Sequence, residues 1–221
     1  HHYDLTLFRN LIDEVGNHPA LLMWIMGNEL GFENPGKEAL MARVNDKMDL
    51  ARQYMVEKWN RIIPITNCIT DIPTAYDRLV TELAVDVFCS NAGYRTTSLT
   101  DLFTGNAASN FSGFTALTKQ TQVPLYIGEI GWLSINNSVN ALHPNWFNSV
   151  WKDTIDHIDT GAVVGGCYFE YSDEMYKASG PDQTQLGLVE VFVKELNGHL
   201  STDPGIMIPD DVRPKALIYD W

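Results

Sequence analysis

Apolar positions along the chain alternate between two spacings. Leu5, Phe8, Leu11, Ile12 and Val15 recur at three and four and predict a helix that Gly16 can end. Residues 21–27 are instead a continuous apolar run of strand length. The alternation then repeats. "NPGKEALMARVNDKMDLARQYMVEKWN" reads as a long amphipathic helix, "RIIPITNCI" as a strand and "IPTAYDRLVTEL" as a helix. "VDVFCSNAGY" is a strand that ends polar, and residues 96–122 are Ser/Thr/Asn-rich with a helical stretch near 113–120. "VPLYIGEIGW" is a strand, "HPNWFNSVWKDTIDHID" a helix with Pro144 in its first turn, and "AVVGGCYFEYSDE" a strand before a loop-rich tail.

Strands alternating with crossover helices mean a parallel sheet. Five parallel, consecutive strands are expected near 21–28, 62–67, 85–91, 123–129 and 163–170. Polar residues gather where these runs end: Asn28 and Glu29, Asn67, Asn91 and Tyr94, Glu129, and Glu170 to Glu174. A (β/α)8 barrel builds its active site at that end of its strands, and so does a doubly wound sheet. No Gly-rich phosphate loop follows any strand, so the nucleotide-binding version loses its main support.

Two strand ends share a design. "WIMGNEL" closes on Gly27, Asn28 and Glu29, and "PLYIGEIGW" carries Gly128 and Glu129. The glutamates are 100 residues apart, from the first strand to the fourth. Carboxyl groups facing each other across a pocket can cleave a glycosidic bond, one as acid and the other as nucleophile or base. Mutual repulsion and unequal surroundings separate their protonation and so divide the labour.

The stretch "NHPALLMWIMGNEL" resembles the fourth barrel strand of clan A glycoside hydrolases, where an Asn-Glu pair carries the acid/base. "LYIGEIGW" resembles the seventh strand, with the nucleophile, "VDVFCSNAGYR" the sixth, and "GGCYFEYSDE" the eighth. "GLVEV" and "RPKALIYDW" resemble the exit into the last helix. The pattern is similar to the barrel domain of the β-galactosidase/β-glucuronidase family, with the endo-β-1,3-glucanase families beside it. The resemblance implies an α/β fold, a (β/α)8 TIM barrel of which residues 1–221 hold strands 4 to 8, with strands 1 to 3 upstream in the same full-length protein.

It further implies a retaining glycoside hydrolase that cleaves β-glycosidic bonds by double displacement and needs no cofactor or metal. Glu29 becomes the acid/base, Glu129 the nucleophile, and Asn28 the partner of the sugar 2-hydroxyl. Tyr94 would orient Glu129, although "NAGYR" departs from the usual spacing and Asn91 competes for attention. The family places a Trp under the sugar at the eighth strand, where this chain has Phe169 and Tyr171; Tyr171 is the platform candidate and Trp132 lines a neighbouring subsite. The alternative is a non-catalytic structural or carbohydrate-binding protein derived from such a barrel.

Composition narrows this little. The formal net charge of −13 argues against a nucleic-acid surface, and no apolar run reaches the length of a membrane span. N-x-S/T sequons at Asn110 and Asn136 lean toward a secretory route. Cys68, Cys89 and Cys167 fit no zinc spacing and are expected to be unpaired, buried small hydrophobes.

Overall fold

The computed structural model describes residues 5–94, 98–131, 143–169, 189–192 and 211–214. Helix α1 (Leu5–Val15) leads into β1 (Trp24–Asn28), α2 (Glu38–Trp59), β2 (Ile65–Ile69) and α3 (Pro73–Glu82). β3 (Phe88–Ser90) and the short β4 (Gly93–Tyr94) follow, then α4 (Thr100–Thr104) and α5 (Phe114–Thr121). β5 (Leu125–Gly131), α6 (His143–Ile158) and β6 (Val163–Tyr168) complete the alternation. A final pair, β7 (Val189–Phe192) and β8 (Asp211–Pro214), forms a separate antiparallel ribbon. Residues 189–192 and 211–214 of the loop-rich tail are paired in that ribbon, and the rest of the tail, with the expected exit into the last helix, lies outside the described residues.

Every neighbouring pair in the main sheet is parallel, as expected. β3 and β4 run along the same side of β5, separated by Asn91 and Ala92, so the wall reads β1, β2, β3/β4, β5, β6. One register line crosses it: Asn28, Cys68, Cys89, Tyr126, Gly165.

Helix periodicity explains the packing behind the wall. Met41, Val44, Met48, Ala51 and Met55 are the buried face of α2. The helix begins at Glu38 because Gly36, at φ +83°, turns the chain before it. It ends at Asn60, whose left-handed cap returns its N–H to Val56. Tyr76 of α3 meets Phe88, Phe111 and Phe114 edge-on or tilted, at centroid distances of 5.4–5.8 Å. β2 is buried at every residue, as an interior parallel strand should be. β1 and β6 end the wall, and Ile25 and Val164 are about half exposed on them, at 50% and 53%.

Asp86 ties the N-terminal ends of β2 and β3 together. Its Oδ2 accepts from Ile65 N at 2.7 Å and from Arg52 Nε and Nη2, while its own N–H donates to Ile65 O. Asp86→Ala is expected to cost about 2 kcal/mol, the scale of lost hydrogen bonds to a charged group. The urea midpoint of the full chain reads it; an unchanged midpoint refutes the anchoring role.

Candidate active site

The C-terminal end of β1 departs from regular strand. Pairing with β2 shifts between Ile25 and Asn28, and Glu29 adopts φ +51° while its N–H still reaches Cys68 O at 2.8 Å. A left-handed non-glycine residue costs about 1–2 kcal/mol, and such strain concentrates where side chains must be aimed. Here the aim is toward Asn91, which follows β3 and is 2% exposed. Asn91 Nδ2 donates to Glu29 Oε1 at 2.7 Å and to Asn28 Oδ1 at 3.3 Å. Asn91 Oδ1 accepts the Cys68 thiol proton at 2.7 Å, and Cys89 Sγ donates to Cys68 Sγ at 2.9 Å.

Strand alternation places these groups on one face. Asn67 donates to Met48 Sδ of α2, so it faces the helices, and Cys68 faces the opposite side. This corrects Asn67 as a strand-end polar residue of the site: it is fully buried in the helix-side core. Gly128 of β5 completes the face. A Cβ there would collide with the Cys68 and Cys89 sulfurs and with Asn91 Oδ1. The glycine before Glu129 is thus the space in which the amide and the two thiols meet.

Glu129 is half-buried on β5. Gly93 of β4 lies against it: a Cβ on Gly93 would come within 2.7 Å of the Glu129 carbonyl oxygen. Both glutamates act electrostatically on one thiol. Contact with Cys89 pushes the Cys68 thiol far above its ordinary pKa, burial adds to this, and neighbouring negative charge, including Glu129 and Glu29, adds further. Cys68 therefore remains a protonated donor. The Tyr126 hydroxyl, 2.6 Å from Cys167 Sγ, is also raised, first by burial and then by that contact.

Of the expected site residues, Glu29, Asn28 and Asn91 form one hydrogen-bonded group, and Glu129 follows Gly128, which lies against Asn91 Oδ1. The backbone of Tyr94 pairs with Gly131, just beyond Glu129. Trp132, Tyr171 and the side chain of Tyr94 lie outside the described residues, as do Glu170 and Glu174. All three cysteines are free, but only Cys68 and Cys89 are buried; Cys167 is exposed on β6, the last strand of the wall, which corrects its place among the buried hydrophobes. Cys68, Cys89 and Tyr126 were absent from the expected site. The signal available for Cys89 was parity, since it stands two residues before Asn91 on one strand face. A cavity of about 150 Å³ is lined by Asp71, Pro73, Ala92, Leu99, Asp101 and Asn106 among others. Burial raises the Asp71 carboxyl there.

No family model and no curated protein matches the chain. Solved structures do. The likeness is to Gas2p of Saccharomyces cerevisiae. Its complex with laminaritriose and laminaritetraose superposes with TM-score 0.55 at 18% identity, over 98% of this chain and 48% of that one. The laminaripentaose complex gives 0.53 at 19%, over 95% and 45%. The chain therefore spans about half the length of the Gas2p chains it matches. The likeness is one of fold: an α/β arrangement of five parallel strands that forms part of a (β/α)8 barrel. Among the described residues no helix is long and apolar enough to cross a membrane.

Proposed function

We propose that the chain is the C-terminal portion, strands 4 to 8, of a retaining glycoside hydrolase barrel acting on β-1,3-linked glucan. One observation carries the reading: Glu29, at the end of the first strand of the wall, is held by Asn91, whose Oδ1 lies against Gly128, the residue next to Glu129 on the fourth. Gas2p, of like fold, is seen with laminari-oligosaccharides, which supports the choice of substrate. The half-exposed Ile25 and Val164 on the two end strands support closure by strands 1 to 3 of the same full-length protein.

In the first step Glu129 attacks the anomeric carbon while Glu29 gives its proton to the departing oxygen. In the second, Glu29 takes a proton from water or a sugar hydroxyl, which displaces Glu129 from the same face. Two inversions restore the β configuration. Asn28 binds the 2-hydroxyl, a contact that strengthens as charge develops. Tyr94 orients Glu129, and Trp132 and Tyr171 line the sugar subsites. The protein's own carboxyl groups supply both the nucleophile and the proton, so the cycle asks for no cofactor.

The test is incubation of the full-length protein with laminari-oligosaccharides, followed by proton NMR of the first anomer released. β-product before mutarotation is expected. α-Product refutes retention, and binding without cleavage points to the non-catalytic descendant.

A further inference from the structure

An asparagine amide can sit either way round with nearly the same shape, and its partners decide which way it faces. Asn91 has partners of opposite kind on its two sides. Glu29 Oε1 accepts from Nδ2 on one side, with the Asn28 amide following it, and the Cys68 thiol donates to Oδ1 on the other. From these contacts we infer that Cys68 is a positioning residue, whose thiol proton fixes the Asn91 amide so that its N–H side holds Glu29 for proton transfer. This rests on the glycosidase reading above and extends it to residues that never touch the sugar.

The hydrogen bonds run in one direction: Cys89 to Cys68, Cys68 to Asn91, Asn91 to Glu29. Cys89, fully buried, donates to a lone pair of the Cys68 sulfur, which leaves the Cys68 proton for the amide. Were the amide turned over, Oδ1 would face Glu29 Oε1, repelling an ionised carboxylate or drawing the acid's proton away from the sugar oxygen, and NH2 would face S–H, leaving an unmatched donor. Burial makes that mismatch costly, because no water can replace the lost partner. The thiol also keeps its proton, since the Cys89 contact, then burial and the nearby carboxylates disfavour a thiolate. A serine hydroxyl could give the same proton; an alanine could not.

The experiment uses the full-length protein with Cys68→Ser, Cys68→Ala and Asn91→Ala. Each is assayed on laminaritetraose and on 2,4-dinitrophenyl β-laminaribioside, whose leaving group departs without a proton. The ratio kcat/KM reports the first, acid-assisted step. Cys68→Ala is expected to lose about tenfold on laminaritetraose, a fraction of the 10²–10⁴ that general acid catalysis supplies, and less than about twofold on the activated glycoside. Asn91→Ala should lose more in the same pattern, and Cys68→Ser should restore wild-type values. Equal losses on both substrates, a silent Cys68→Ala, or failure of serine to rescue overturns the inference.

A second measurement does not depend on activity. With ¹⁵N-labelled asparagine, the Asn91 side-chain amide protons should be slow to exchange and resolved in wild type and Cys68→Ser. They should exchange faster and move closer together in Cys68→Ala. An amide unchanged by Cys68→Ala refutes the positioning role. Inactivity of the wild-type protein refutes the glycosidase reading while leaving this amide test in force.

Discussion

Glu129→Ala is expected to lower turnover of a β-1,3-glucan by roughly 10⁴–10⁶-fold, the scale seen when a nucleophile is deleted, while the protein stays folded. Glu129 lies near the end of β5 and is half-buried, so its loss removes a reacting group without emptying a fully buried position. Azide separates the two glutamates by stereochemistry. In Glu129→Ala the anion fits the space left by the carboxylate and attacks the anomeric carbon directly, giving an inverted α-glycosyl azide. In Glu29→Ala, assayed with an activated aryl glycoside, the glycosyl-enzyme still forms and azide displaces Glu129. The product is then the β-glycosyl azide. Exchanged configurations would reverse the assigned roles, and full activity in Glu129→Gln would remove Glu129 from the chemistry.

The legible part of the fold was its period. Buried runs such as Ile65–Ile69 and the three-and-four spacing of α2 follow directly from which positions must avoid water, and five parallel strands follow from their alternation. The two glutamates were legible because a carboxylate has no reason to end an apolar strand unless the end is functional. Face, in contrast, was misjudged at Asn67. Asn67 directly precedes Cys68, and a one-residue change of parity moves a side chain from the site to the helices. The cysteines looked inert because sulfur counts as apolar in any hydropathy pattern. Only three-dimensional register, Cys68 opposite Cys89, shows that Cys89 donates to Cys68 and Cys68 to Asn91. The β7–β8 ribbon pairs residues across a long intervening segment, for which local pattern carries no signal.

Gly128→Ala is expected to damage stability and catalysis together. The new methyl group would occupy the point where Cys68 Sγ, Cys89 Sγ and Asn91 Oδ1 converge. Overfilling a packed site costs typically about 1–3 kcal/mol, and none of the three neighbours can swing away without breaking a bond of the Cys89–Cys68–Asn91–Glu29 series. Because Asn91 is displaced, kcat/KM on laminaritetraose should fall at least about tenfold in the folded fraction, within the range general acid catalysis supplies. Gly161→Ala serves as the control. Its Cβ meets open space, but its φ of +74° is strained for alanine, so it should cost about 1 kcal/mol and leave kcat/KM unchanged. Thermal unfolding and kinetics on the two variants separate backbone strain from crowding. If Gly128→Ala loses stability yet keeps full activity, the space beside Glu129 serves packing alone, and the amide–thiol series has no part in holding the acid.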